Sequence, residues 1–167
     1  APELGRLTSV VPRSFGGNID NKELVAGATL YLPVWTKGAL FSAGDGHAAQ
    51  GDGEVCLTAV ETGLSGTFRL TLVKGANLQA PRAETPTHLI TMGFDEDLDE
   101  AARLALRDMI RLITQSTSLS PDEAYRLCSL AADLRVTQLV NRHKGIHAML
   151  GRWALGSAGA KATALGA

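Results

Sequence analysis

Residues 45–54, with the sequence DGHAAQGDGE, contain the carboxylates Asp45, Asp52 and Glu54 and the imidazole of His47. Asp45 and His47 are two residues apart, so an extended backbone would place both side chains on one face, about 7 Å apart. Imidazole and carboxylate groups are ligands for zinc and other divalent metals, and a nearby carboxylate can act as a general base. Interspersed glycines would let the backbone bend tightly around a small ligand. The spacing is therefore compatible with a hydrolytic metal site.

The same segment has two other interpretations. A Gly/Asp-rich stretch between strands is typical of a turn in which Asp45 and Asp52 accept hydrogen bonds from backbone amides. The pattern matches no standard metal signature such as H-E-x-x-H, and a three-ligand zinc site would need a ligand from elsewhere in the fold. Cys56, two residues after Glu54, is a further candidate as a nucleophile. The spacing alone leaves these alternatives open.

A second polar cluster, Asn18, Asp20 and Asn21, follows the pair Gly16-Gly17. It is typical of a turn that leads into a strand. Its functional interpretation is that Asn18 or Asp20 reaches the same pocket and holds a carbonyl oxygen or orients a ligand. The other histidines have scattered contexts and are interpreted as surface or packing residues: His88, His143 and His147.

Composition excludes several classes of partner. The chain has 167 residues, of which 45% are hydrophobic and 20% charged, as expected of one globular domain. A net charge of −1 without a Lys/Arg cluster gives no electrostatic basis for binding nucleic acid or an anionic membrane. No apolar run approaches the ~18 residues of a membrane span, and no signal-peptide pattern is evident. We expect a cytoplasmic protein in which Cys56 and Cys128 are buried free thiols.

Strands are predicted in the first part of the chain. Between residues 23 and 74, the runs ATLYLPVW, EVCLTAVE and GTFRLTLVKG alternate with glycine-bearing turns, a pattern typical of half a sandwich or barrel. Alternation places Phe68, Leu70 and Leu72 on one face of the last run. Pro33 removes one hydrogen-bond donor, so its strand is predicted to lie at an edge or to carry a bulge.

Helical periodicity begins at residue 98. Asp97 is predicted to cap this first helix, with Glu100 reaching back to the Asp97 amide, and Ser120-Pro121 is predicted to start the second. The runs LITMGF and LRVTQLVN, before and after the helices, are predicted strands. The segment NRHKGIH is interpreted as solvated, and the Gly/Ala-rich residues 156–167 as a flexible tail with almost nothing to bury.

The run from Gly16 to Cys56 resembles the signature of the acetamidase/formamidase family. In that signature a G-G-N-x-D element leads to a strand ending in L-P-V and then to G-D-x-H-A-x-Q-G-D-G-E, and each motif position is met here. The later segment DEAYRLCSLAADLRVTQLVN is similar to the family's C-terminal helix and strand. The resemblance extends over residues 6–155 and is more specific than the bare spacing of the acidic residues.

This resemblance implies hydrolysis of short aliphatic amides, of the formamide or acetamide type, to a carboxylate and ammonia. It also implies assistance by a divalent metal, for which zinc is the first choice. Glu54 is expected to activate water, and Asp52 to support a ligand or the loop. The positions with implied roles are the metal ligands Asp45 and His47, the catalytic Glu54 and Asp52, and the substrate-binding Asn18 and Asp20.

Members of the family are about twice this length, and a β-rich half precedes their signature. The resemblance thus implies an α+β fold with jelly-roll-like strands in residues 1–80 and two helices plus strands in residues 81–155, incomplete without that N-terminal half. Half a sandwich leaves strand edges and apolar surface exposed. We therefore expect a cleaved subunit that binds an N-terminal companion chain and forms a homo-oligomer of the complete unit. The alternatives are a truncated relative, an expressed piece of a longer protein, and a non-catalytic binding or structural subunit.

Overall fold

The computed structural model describes residues 7–166, and its frame is a five-stranded antiparallel sheet. The strands are β1 (Thr29–Tyr31), β2 (Arg82–Glu84), β3 (His88–Asp95), β4 (Ala132–Gln138) and β5 (Lys144–Gly151). Their order in the sheet is β1-β2-β3-β5-β4. The helices are α1 (Leu98–Ser116), α2 (Pro121–Ala131) and the short 3₁₀ helix Arg152–Ala158. None of the helices in the described part of the chain has the length and apolar character needed to cross a membrane.

Helix α1 packs across one face of the sheet and forms the main core. Its fully buried residues, among them Met109, Leu112 and Ile113, cluster with Leu89 of β3 and with alternate residues of β5. At Gly93 a Cβ atom would lie 2.2 Å from the carbonyl oxygen of Ala101. Glycine at this position therefore lets α1 approach β3 closely.

Both predicted helices and their first residues are confirmed, with one difference in capping. The Ser120 side chain accepts from the Glu123 amide, and the Glu123 carboxylate accepts from the Ser120 amide at 2.8 Å, which is a complete capping box. At α1 the Asp97 side chain accepts from the Glu100 amide at 3.0 Å. The predicted return bond is wrong, because the Asp97 amide donates to Asp95 Oδ1 at 2.9 Å. The Glu100 carboxylate instead accepts from nearby exposed arginines.

Strand β5 was missed by the sequence interpretation. The interpretation of NRHKGIH as solvated is wrong from Lys144 onward, because Lys144–Gly151 pairs with both β3 and β4 and seven of its eight residues are buried. Ile146, Ala148 and Leu150 belong to the core under α1, whereas Met149 joins the smaller cluster on the other face. A strand that is covered on both faces shows no alternation of polar and apolar residues. The basic residues at the start of β5 also make the segment look solvent-exposed in the sequence.

The two strands predicted between residues 54 and 75 are not formed, and Cys56 in this stretch is exposed, so the prediction that it is buried is wrong. Within the described residues that stretch takes part in a single isolated β-bridge, between His47 and Glu61. Phe68, Leu70 and Leu72 alternate as a strand would but are 63%, 70% and 70% exposed. Alternating apolar and polar residues form a strand with one buried face only where another part of the protein covers that face. Residues 7–166 do not cover the face that contains Phe68. The run ATLYLPVW does contain β1, which lies at the predicted sheet edge.

Residues 152–166 pack against the end of the sheet at β2. Arg152 contacts Glu84 at 3.2 Å, and Glu84 also accepts from the Ala164 amide at 2.9 Å. Ala162 and Ala164 are buried. The expectation that residues 156–167 have almost nothing to bury does not hold at these two alanines, whose backbone carbonyls accept hydrogen bonds from Arg152 and Arg82. The flexibility of this segment stays a prediction. Residue 167 lies outside the described residues.

A buried ion pair joins the sheet, α1 and this C-terminal segment. The Arg82 guanidinium donates from Nε and Nη2 to the two carboxylate oxygens of Asp108, each at 2.7 Å, and from Nη1 to the Ala164 carbonyl oxygen at 3.1 Å. Arg82 is 3% exposed and Asp108 8%. Removal of one partner of such a pair leaves an uncompensated buried charge.

We predict that Asp108→Ala lowers the free energy of unfolding by about 3–5 kcal/mol, because Arg82 stays buried without its carboxylate. Alanine is the best helix former, so helix propensity does not account for the loss. The matched control is Glu100→Ala on the same helix, which removes only exposed pairs with Arg103 and Arg107 and is expected to cost less than about 1 kcal/mol. Urea unfolding of the three proteins measures both values, and equal losses in the two variants would contradict the prediction.

Candidate active site

The loop that carries His47 is shaped by pairing with a later segment. The Ala48 amide donates to the Val60 carbonyl and the Thr62 amide to the Gly46 carbonyl, both at 2.8 Å. This antiparallel contact places Glu61 directly opposite His47. A Cβ atom at Gly46 would lie 2.7 Å from the Thr62 carbonyl oxygen, so the approach requires glycine.

His47 Nε2 faces a group of carboxylates. It lies 3.1 Å from Glu61 Oε2, 3.4 Å from Asp45 Oδ1 and 4.0 Å from Glu54 Oε1. The atom is buried and has no partner with hydrogen-bond geometry in the described part of the chain. The hydrogen bond with Gln50 first, and then the nearby carboxylates, raise the pKa of His47 against the opposing effect of burial. The surroundings thus favour a positive charge at this nitrogen.

Asp20 and Glu54 form a buried acidic pair beside His47. Each is 6% exposed. Burial first, and then the hydrogen bond and negative charge of Glu54, raise the pKa of Asp20 to about 8. Glu54 has a left-handed backbone (φ 42°) and follows Gly53, whose carbonyl accepts from the Leu139 amide at 2.8 Å. The loop is thereby tied to the end of β4, and near neutral pH Asp20 keeps its proton because of its raised pKa.

Gln138, the last residue of β4, organises the polar residues around Asp20. Its buried amide nitrogen, which has two hydrogens to donate, lies within hydrogen-bond distance of three acceptors: Asp20 Oδ2 at 2.6 Å, the Asn18 carbonyl at 2.9 Å and Asn141 Oδ1 at 3.0 Å. With the Asn18 amide oriented to satisfy its neighbours, its nitrogen donates to Asp45 Oδ2 at 3.2 Å and to Asp20 Oδ1 at 3.1 Å. These bonds connect the G-G-N-x-D element with the carboxylates of the later loop.

The structure brings five of the six predicted site residues together: Asn18, Asp20, Asp45, His47 and Glu54. Asp52 instead forms an ion pair with Lys22 at 3.0 Å. This contact is compatible with its expected support of the loop, and the roles of all six residues remain predictions. The sequence interpretation missed Glu61, Gln50 and Gln138. Gln50 had a signal, since it occupies a motif position, whereas Gln138 had none, since it ends a strand of mixed polar and apolar residues.

The donor set of the site suits a divalent cation. Ligand atoms of Asp45, His47 and Glu61 all lie within 4.8 Å of one another. Catalytic zinc sites have three protein ligands and one position left open, and imidazole and carboxylate groups both bind zinc. The unpartnered Nε2 of His47 supplies an independent observation, since a buried polar atom normally has a partner. Asp45 and Glu61 are about half exposed, so the group is open on one side.

Fold and site together define a mixed α/β protein with a candidate hydrolytic centre at the end of its sheet. The model of the Acetamidase/Formamidase family matches residues 4–149, and the chain belongs to that family. The resemblance seen in the sequence is therefore confirmed. The family match includes both motif elements and all residues of the site described above.

Named relatives agree with this assignment. The chain is 41% identical over 68 residues to an acetamidase of Mycolicibacterium smegmatis and 49% identical over 47 residues to a formamidase of Methylophilus methylotrophus; these segments are 40% and 28% of this chain and 17% and 12% of the relatives. It is similar to the crystal structure of a recombinant predicted acetamidase/formamidase from Thermoanaerobacter tengcongensis, with a TM-score of 0.84 and 33% identity over 95% of this chain and 53% of that one. An acetamidase structure from Yersinia enterocolitica gives 0.84 and 30% over 94% and 48%. The chain thus spans about half the length of these solved relatives.

We predict that Asp20→Asn removes a pH-dependent loss of stability from the metal-free chain. The folded chain holds the Asp20 proton up to about pH 8, whereas the unfolded chain releases it near the ordinary value of 3.8. The raised pKa therefore contributes stability below pH 3.8 that is lost as the pH rises through about 8. Asparagine cannot ionise, so the variant should lose less Tm between pH 5 and 8 than the original chain does. Thermal unfolding in the presence of a chelator measures this, and parallel Tm profiles would contradict the prediction.

Proposed function

We propose that this chain hydrolyses short aliphatic amides, of the formamide or acetamide type, to a carboxylate and ammonia as one part of a two-part enzyme. Amide hydrolysis is what the names of its relatives indicate. The observation that carries the proposal is the buried, unpartnered Nε2 of His47, which faces carboxylates beside the Asp20–Glu54 pair. Such an arrangement combines a ligand group with a group able to move protons.

A divalent ion held by Asp45, His47 and Glu61, with zinc as the first choice, would polarise the amide carbonyl and lower the pKa of water toward ~7. Glu54 lies next to these residues and accepts the proton of the attacking water. The water oxygen bonds to the carbonyl carbon, the carbon–nitrogen bond breaks, and the proton goes to the leaving nitrogen. Because Glu54 is nearly buried, the proton passes to the nitrogen and not to bulk solvent.

The remaining predicted residues receive supporting roles. Asn18 and Asp20 lie beside the proposed metal ligands and are assigned to substrate binding. Their polar side chains can form hydrogen bonds with the carbonyl or amide of the substrate. Asp52 holds the loop through Lys22. Backbone amides of the glycine-rich loop are suited to stabilise the negative oxygen that develops on an attacked amide.

The two-part character rests on length and on exposed apolar surface. The chain covers 53% and 48% of two solved relatives. Several large apolar side chains between residues 34 and 73 are exposed, and a second β-rich half would be expected to cover them. They are Val34, Leu40, Val55, Leu57, Val60, Leu64, Phe68, Leu70 and Leu72. An N-terminal companion chain and a homo-oligomer of the complete unit follow as proposals, and the cytoplasmic location stays a prediction.

The alternative is a non-catalytic binding or structural subunit of the same fold. It is favoured by the partial length of the chain relative to its solved relatives, since substrate-binding walls could lie in the part that they have in addition. Metal content and turnover of the complete unit separate the two proposals.

We predict that His47→Ala abolishes ammonia release from formamide and acetamide by the complete unit, and that Glu54→Gln lowers kcat by about 10²–10⁴-fold, the range typical of a lost general base. The control is His88→Ala, which changes a histidine at the opposite end of β3 from the site and should leave the rate unchanged. A coupled ammonia assay with metal analysis measures both properties. Full activity of His47→Ala would refute the site assignment.

We also predict that residues 1–167 alone bind a dye that reports apolar surface and self-associate, because the apolar side chains between residues 34 and 73 lack a cover. Addition of an N-terminal β-rich half, such as that of a solved relative, should reduce dye fluorescence. Analytical ultracentrifugation and dye titration test this. A compact monomer that binds no dye would count against the two-part proposal.

A further inference from the structure

A chain of three groups determines how the His47 ring presents its nitrogens. The Gln50 side-chain nitrogen donates to the backbone carbonyl oxygen of Asp20. A carbonyl oxygen only accepts hydrogen bonds, so the amino group of Gln50 must point toward Asp20 and its oxygen must point the other way. That oxygen lies 2.9 Å from His47 Nδ1.

The orientation of Gln50 therefore fixes the tautomer of His47. An amide oxygen accepts a hydrogen bond but cannot donate one, so His47 Nδ1 must carry a hydrogen. In the neutral imidazole the lone pair then lies on Nε2. This is the nitrogen that is buried without a hydrogen-bond partner among the described residues and that faces Asp45 and Glu61.

Without Gln50 the opposite tautomer would be favoured. Two carboxylates lie within 3.4 Å of Nε2, and their negative charge would favour a hydrogen on that nitrogen. An imidazole protonated at Nε2 has no lone pair there and cannot bind a cation at that position. Gln50 opposes this by supplying the acceptor on the far side of the ring.

Glutamine also suits this position better than glutamate would. A carboxylate could accept from Nδ1 but could not donate to the Asp20 carbonyl. It would further add negative charge to a region that already contains Asp20, Asp45 and Glu54. The amide supplies one acceptor and one donor with no charge.

We propose that Gln50 is a positioning residue that holds His47 as the Nδ1–H tautomer. The Nε2 lone pair then points toward the carboxylates of Asp45 and Glu61, where a cation would bind. The cation part rests on the proposed function, whereas the tautomer is a property of the metal-free chain. A second-layer partner of this kind typically changes metal affinity by about 10–100-fold when it is removed.

The test uses Gln50→Leu, which removes donor and acceptor, and Gln50→Glu, which keeps an acceptor for Nδ1–H. Gln79→Leu makes the same chemical change at an exposed glutamine away from the site and is the matched control. Circular dichroism checks folding, and Gln50→Ala replaces the leucine variant if that variant unfolds. The readouts, both made on the complete unit, are the ¹⁵N shifts of the His47 ring after removal of metal and the affinity for Zn²⁺ in competition with a chromophoric chelator.

At a pH above the His47 pKa, where the ring is neutral, we expect the Nδ1–H form in the original protein, in Gln79→Leu and in Gln50→Glu, and the Nε2–H form in Gln50→Leu. Zn²⁺ affinity should fall about 10–100-fold only in Gln50→Leu. An unchanged tautomer and affinity in Gln50→Leu would overturn the positioning role while leaving the proposed function intact. A tautomer that depends on Gln50 in a complete unit that binds no Zn²⁺ would support the positioning role and refute the metal part of the proposed function.

Discussion

Mutual repulsion among acidic groups is the constraint on which the site depends. Asp20, Asp45, Glu54 and Glu61 surround one imidazole, and the two innermost are almost completely buried. Two unit charges 4 Å apart repel by about 4 kcal/mol at the effective dielectric constant typical near a protein surface. The chain offsets part of this with the proton on Asp20 and with amide donors from Gln138 and Asn18. The remaining negative charge is open on one side and favours a cation.

The fold brings these acidic groups together at one end of the sheet, where β4 ends. Helix α1 covers one face, which leaves the end of β4 free to receive the Gly53 loop through a backbone hydrogen bond. Gln138 at that end binds the early Asn18–Asp20 segment, so two distant pieces of sequence meet at a single buried amide. The rigid sheet thus positions a site that is itself built from loops, in the manner common to many enzymes.

Sequence patterns predicted features that depend on neighbours along the chain. The motif identified His47 and Asp45, and the capping pattern located the start of α2 at Ser120. Glu61 could not be found in this way, because it reaches His47 only through loop pairing that no local periodicity encodes. The strand predicted around Phe68 is wrong for a related reason. Its alternation defines an apolar face that needs a covering element, and the described residues do not contain that element. Small residues near Ala164 looked unstructured because the arginine that holds them lies 82 positions earlier.

The central claim is that the carboxylate–imidazole group binds one divalent ion, and it is tested most directly by anomalous X-ray diffraction from crystals of the complete unit loaded with Zn²⁺. The account predicts one strong anomalous peak at about 2.0–2.2 Å from His47 Nε2 and from oxygens of Asp45 and Glu61. A peak bound elsewhere, or no peak there at saturating Zn²⁺, would contradict the account.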